Sequence, residues 1–176
     1  MGASSSAFDL ATAHFDNDYP SNGLHDIVTC NVGDDESSEL TNNGSFDFDL
    51  DDYSDPCSVT WSWTDVTAGT FNPGAVGDAA IVDSYGSQLR VLYGDGHGGF
   101  THDCDPHTAG GDKYVIAHGN CTTADVVAGV TTGLLNNNQR LDLAATLPHC
   151  TEVAILIGLG GIPTLNSKFQ FDTGGS

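Results

Sequence analysis

Three kinds of segment return in the same order along this chain, and that order restricts the fold more than any single motif does. The first is a small apolar strand: Leu10-Ala11-Thr12-Ala13-His14-Phe15, Val66-Thr67-Ala68-Gly69-Thr70-Phe71, Val115-Ile116-Ala117-His118 and, more weakly, Leu143-Ala144-Ala145-Thr146. The second opens on an acid, at Asp26-Ile27-Val28, Asp78-Ala79-Ala80-Ile81-Val82, Asp125-Val126-Val127 and Glu152-Val153-Ala154-Ile155. The third ends in a polar turn, at Leu40 to Phe46, Leu92 to Phe100, Leu134 to Asn138 and Leu165 to Phe169. Recurrence at such a period is the mark of stacked supersecondary units, each of which buries its apolar face on its neighbours.

After the first polar turn, Phe46-Asp47-Phe48-Asp49-Leu50-Asp51 alternates with period two, placing Phe46, Phe48 and Leu50 on one face and three aspartates on the other. Val59-Thr60-Trp61-Ser62-Trp63-Thr64 alternates likewise; its two tryptophans read as core between sheets, with a sugar-stacking platform as the alternative. No long stretch carries a helical period, and 22 glycines mark a turn-rich chain. The expectation is a single all-β domain of three to four tandem antiparallel sheets, with approximate repeats at 8–56, 57–110, 111–140 and 141–172.

The best-preserved copies are Ala13-His14-Phe15-Asp16-Asn17-Asp18 followed by Asn22-Gly23-Leu24-His25-Asp26-Ile27-Val28, and Val91-Leu92-Tyr93-Gly94-Asp95-Gly96-His97-Gly98-Gly99-Phe100. Their order resembles the FG-GAP or VCBS-type repeat of integrin-like β-propellers, in which a short Asp-rich loop binds calcium. That resemblance implies propeller-like blades, with Asp16, Asp18, Asn22 and Asp26 as the calcium ligands. Calcium takes several hard oxygen ligands on a flexible turn, which these residues can offer. The sequence departs from the pattern by about two extra residues around Tyr19-Pro20 and by shorter later loops. Family propellers have about seven blades, so three or four repeats imply a fragment, a small propeller, a ring completed by oligomerisation, or a stack that is not a ring.

Charge narrows the partners. There are 24 acidic residues against four basic ones, a formal net charge of -20. Such a surface repels a phosphate backbone and excludes nucleic acid as an expected partner; cations are favoured. Solubilisation, as in a salty habitat, is the competing reason for the charge. Cys30, Cys57, Cys104, Cys121 and Cys150 lie far apart with no CxxC pair, so all five are disulfide candidates, with up to two bridges and one thiol left over. With the glycosylation sequons at Asn43 and Asn120 they predict an extracellular, secreted setting. No membrane span or signal peptide is read, which suggests a mature form, a fragment or a recombinant product. Met1-Gly2-Ala3-Ser4-Ser5-Ser6 fits N-myristoylation, against the simpler reading of an initiator methionine and cloning remnant.

A second possible metal site gathers His97, His102, Asp103, Asp105 and His107 around Cys104. Imidazole and thiolate suit zinc or copper, but the spacing matches no established pattern and the segment also reads as an exposed loop. His25-Asp26 has no nucleophile at a recognisable elbow, so no catalytic residue is expected. The acids from Asp47 to Asp55 allow paired carboxylates for glycoside hydrolysis, and equally a solvated strand face. The leading expectation is a non-catalytic, calcium-stabilised adhesion or binding module for a glycan or protein ligand. The alternatives are a self-associating subunit of a glycosylated filament or surface layer, and a metal-dependent hydrolase.

Overall fold

The computed structural model describes residues 6–17, 23–32, 36–45, 47–54, 63–72, 74, 76–83, 88–101, 113–115, 127–148, 152–158 and 168–172. Among them are thirteen strands in three antiparallel sheets. The first sheet holds β1 (Ser6–Ala13), β2 (Asp26–Val32), β3 (Glu36–Gly44) and β4 (Asp47–Ser54) in sequential order. The second holds β5 (Trp63–Gly69), β6 (Asp78–Asp83), β7 (Gln88–Gly94) and β8 (Phe100–Thr101), with β9 (Lys113–Val115) also paired to β7. The third holds β10 (Gly129–Gly133), β11 (Asp142–Leu147), β12 (Glu152–Leu156) and β13 (Lys168–Asp172).

The all-β, sequentially paired sheets agree with the sequence reading, but the later repeats have a different phase. The third sheet takes its strands from both sides of the boundary expected between 140 and 141, β10 from before it and β11, β12 and β13 from after it. Leu143 to Thr146 is a second strand rather than a first, and Glu152 opens a third strand rather than a second. Leu134 to Asn138 is the connection between the first and second strands. Lys113–Val115 extends the second sheet instead of opening a third. Small residues explain the misreading: Asp142-Leu143-Ala144-Ala145 lacks the β-branched signature of Asp26-Ile27-Val28 and so hides the acid that starts its strand. The second sheet's outer edge is made of two short strands, β8 and β9, where the first sheet has the single long β4.

Period-two alternation gives each sheet two faces, and the sheets stack through them. Between the first and second sheets lie Phe15, Val28, Cys30, Trp63, Val66, Ala79, Ile81, Leu92 and Phe100, with Phe15 and Phe100 in an edge-to-face contact at 5.3 Å. The buried Trp63 is therefore core, as expected; Trp61 lies outside the described residues. Between the second and third sheets lie Phe71, Ala80, Val82, Leu89, Val91, Leu143, Ala145, Leu147, Ala154 and Leu156. Strand β5 is the hub, packing on β1 and β2 at one side and on β10 at the other.

One acid and one base are buried on the faces that meet at the first seam. Glu39 is buried on the face it shares with Val28, its cross-strand neighbour, and Arg90 is buried beside Ile81. Both Val28 and Ile81 belong to the core between these sheets. Opposite charges thus sit on the two faces that meet, which limits the cost of burying either.

Truncation tests the stacking. Leu89→Ala, fully buried between the second and third sheets, should lower stability by about 2–5 kcal/mol. Leu50→Ala, 63% exposed on β4, should change it by less than about 0.5 kcal/mol. Urea denaturation of both variants checks the contrast.

Candidate functional site

Each sheet carries the same carboxylate clamp at one end. Asp26, Asp78 and Asp142 occupy the first position of β2, β6 and β11, and all three are buried. Asp26 accepts the backbone N–H of Phe15 at 2.8 Å through Oδ2 and that of Asn42 at 2.9 Å through Oδ1. Asp78 accepts those of Phe71 at 2.7 Å, Asn72 at 3.1 Å and Gly94 at 3.1 Å. Asp142 accepts those of Leu135 at 2.9 Å and Gly158 at 2.9 Å. In every case the second donor lies 16 residues beyond the acid, on or just after the third strand. The first donor lies seven residues before the acid in the second and third sheets and 11 before it in the first, which has the longer loop.

The physical reason is an accounting of backbone donors. Chain reversal at the end of the first strand strands N–H groups where no ladder partner reaches them, and a carboxylate satisfies two or three at once. Asn72 and Asn136 follow the first donor and bind back on the loop: Asn72 Oδ1 accepts Gly74 N–H and Asn136 Oδ1 accepts Asn138 N–H, both at 2.8 Å. Burial raises the Asp78 carboxyl above its ordinary value, and the bonds from Phe71, Asn72 and Gly94 oppose that rise.

The expected calcium set divides against this frame. Asp26 is the clamp of the first sheet, doing what Asp78 and Asp142 do in loops without the other acids. Asp16 is half-buried, and its backbone bridges to Gly96 and His97 of the second sheet's β7–β8 turn. Asn17 N–H donates to the Gly96 carbonyl at 3.1 Å, and Gly77 N–H donates to the His14 carbonyl, so the loop ends of two sheets are laced together. Gly96 needs its φ of 81°, a left-handed conformation in which a side chain would also strike Asn17. Asp95 organises the same turn, its Oδ1 accepting His97 N–H at 2.7 Å and Gly99 N–H at 3.1 Å. His14 and His25 meet edge to face at 4.4 Å beside it. Asp18 and Asn22 lie outside the described residues.

Of the second metal candidate, His97 is exposed on this turn. His102, Asp103, Asp105 and His107 lie outside the described residues, in the stretch that separates β8 from β9 in sequence. Among the described residues no group of three or more His, Cys, Asp or Glu side chains is arranged to hold a metal. Asn43 is exposed on β3 and donates from its amide to Asp49 Oδ2 at 2.7 Å; Asn120 lies outside the described residues. Cys30 is a buried free thiol packed in the first seam, which removes it from the disulfide candidates in this structure. Burial pushes that thiol up to about 11, so it is protonated at neutral pH. Cys57, Cys104, Cys121 and Cys150 lie outside the described residues.

The sequence reading missed a second carboxylate device, between sheets. Asp9 on β1 accepts the N–H of Val66 on β5 at 3.1 Å, and Asp65 on β5 accepts the N–H of Val130 on β10. Register shifts at Ala7/Asp9 and Trp63/Asp65 accompany both acids. The two carboxyls influence each other: burial and Asp9 raise Asp65 to about 6, while Asp65 lowers Asp9. Counting back from the residues opposite the clamps, Ala13, Gly69 and Gly133, places Asp9, Asp65 and Gly129 at one position, a signal visible once the clamps are aligned. No protein-family model matches the chain, and no curated protein is similar to it in sequence.

Two outcomes follow from these carboxylates. Asp78→Ala leaves the N–H groups of Phe71, Asn72 and Gly94 without their acceptor and should cost about 2–4 kcal/mol in urea unfolding. For Asp65, the folded state keeps a proton that the unfolded chain releases between the ordinary value of 3.8 and about 6. Its contribution to stability is therefore full below that window and lost as pH rises through it. Facing it are Asp9 and the neutral Cys30 thiol, neither of which reverses the sign. Asp65→Asn should flatten the fall in melting temperature between pH 4 and 6 relative to the native protein, read by calorimetry across that range.

Proposed function

We propose that the chain is a non-catalytic extracellular binding module whose three sheets are propeller-like blades of the integrin-like repeat class. The observation that carries this reading is the clamp repeated three times, with its second donor 16 residues on in every sheet. Three copies of one unit, laid side by side and joined at their first strands, build a scaffold that displays loops. The loops 14–25, 70–77 and 134–141 all leave from the clamped ends of their sheets, together with the turn at Asp95 to Gly99. Asp16, Asn17, His14, His25, Asp95 and His97 give the first two loop ends a polar, hydrogen-bonding rim suited to a hydroxyl-rich glycan or a polar protein surface.

Calcium belongs to the same proposal. A carboxylate offers about four lone-pair directions, and Asp26 spends two on Phe15 and Asn42, which leaves it capacity for a cation; Asp16, Asp18 and Asn22 of the same loop would be the other ligands of the proposed set. A bound ion would add crosslinking of the first loop and no chemistry. The acid excess of the chain favours such a partner electrostatically. The buried acids Asp78 and Asp142 serve backbone donors in loops with no comparable acids, so these loops hold hydrogen bonds in place of an ion.

Calcium should raise the melting temperature and chelator should lower it, because a ligand bound only by the folded state stabilises by mass action. Asp16→Ala should abolish the response while leaving the apo melting temperature within a few degrees. A melting temperature indifferent to calcium and chelator contradicts the calcium site, and a glycan array tests the class of ligand.

A further inference from the structure

On the alternating strand β4, Leu50 shares a face of the first sheet with Phe48, and among the described residues no other strand covers that face. Leu50 pairs with Leu40, and Leu40 pairs with Ile27, so Ile27, Leu40 and Leu50 form one apolar row across the first sheet. Leu10 and Phe48 flank it, and Leu10 and Leu50 are 59% and 63% exposed. The same positions in the other sheets are covered. Aligned on the clamps, Leu10 corresponds to Val66 and Val130, Ile27 to Ala79 and Leu143, and Leu40 to Leu92 and Leu156. Ala79, Leu92, Leu143 and Leu156 are all buried, each beneath the preceding sheet.

The polar part of this face is prepared for burial. Thr29 Oγ1 donates to Asn31 Oδ1 at 3.0 Å, and Asn31 Nδ2 donates to Ser38 Oγ at 2.9 Å. Ser38 N–H in turn donates to Thr29 Oγ1 at 3.3 Å. These groups satisfy one another within the sheet, so covering them leaves few donors orphaned. At the other end of the stack, the third sheet turns outward Ala144, Thr146, Val153 and Ile155. They correspond to Ala80, Val82, Leu89 and Val91, the residues by which the second sheet covers the third.

We propose that the open face of the first sheet receives the outer face of the third sheet of a second copy, so that the chain associates head to tail. Both internal seams supply the template: an outer face of one sheet on the inner face of the next. The copy-to-copy seam lacks one element, since Gly129 stands where Asp9 and Asp65 bridge to the next sheet's N–H. It is therefore weaker than the internal seams and reversible. A net charge of -20 on each copy opposes it, so association strengthens with salt, the screening length falling below about 10 Å above 0.1 M. The proposal stands on the packing of the sheets and not on calcium, which makes the two separately testable.

Sedimentation equilibrium of the native chain and two lysine variants decides the matter. Leu50→Lys and Thr146→Lys alter exposed residues on the two faces and reduce net charge, so neither general repulsion nor loss of folding explains a loss of association. The native chain should associate in a concentration-dependent manner that salt strengthens, and each variant alone should weaken it by about tenfold or more. Mixing the two should restore a single seam, giving a dimer and nothing larger. A native chain that stays monomeric at high concentration and high salt overturns the proposal. So does association that Thr146→Lys leaves intact, which would mean first-sheet faces meeting each other, or a mixture of variants that stays monomeric.

Discussion

A buried carboxylate at the head of the second strand is the interaction on which each sheet depends. Ionised acids in a protein interior are costly unless donors surround them, and backbone N–H groups at a chain reversal are costly unless acceptors reach them. Asp26, Asp78 and Asp142 solve both problems at once. Each ties a residue just past the end of the first strand to one on or just after the third, across the second strand that carries the acid. The loop between can then vary in length, as the longer first loop does, without moving the strands it joins.

Stacking adds a second level with its own carboxylates. Apolar faces supply most of the drive, from Trp63 and Phe15 in one seam to Leu89 and Leu143 in the other. Apolar contact alone does not fix how far one sheet slides over the next. Asp9 and Asp65 do so by reaching from one first strand to a named N–H on the following one. Burial and the neighbouring Asp9 raise the Asp65 carboxyl to about 6, which makes this bridge between the second and third sheets sensitive to acidity.

Much of this was legible in the sequence, for identifiable reasons. Alternation, recurring apolar runs and glycine-rich turns reveal strands whatever their partners, so β1, β2, β4, β5 and β6 overlap the segments that the pattern picks out, with β1 starting earlier at Ser6 and β5 taking in Trp63. The acid at the head of the second strand stood out at Asp26 and Asp78 because β-branched or alanine-rich runs follow it directly. It was lost at Asp142, where Asp125 and Glu152 competed as acids before valine runs. Sequence shows Asp26 only as an acid among acids, which is what suggests calcium; that its oxygens also accept from Phe15 and Asn42 is a property of the folded loop. Asp9 and Asp65 were invisible for a related reason: their partners are backbone groups 57 and 65 residues away, and a backbone donor carries no side-chain signature.

Amide hydrogen exchange reads the clamps most directly. Phe15, Phe71, Leu135 and Gly158 lie outside the strands, and their N–H groups have the clamp acids as acceptors. The account predicts that these four amides exchange as slowly as those in the core strands β2, β6 and β11. Exchange at the rate of the neighbouring exposed loop amides would contradict it.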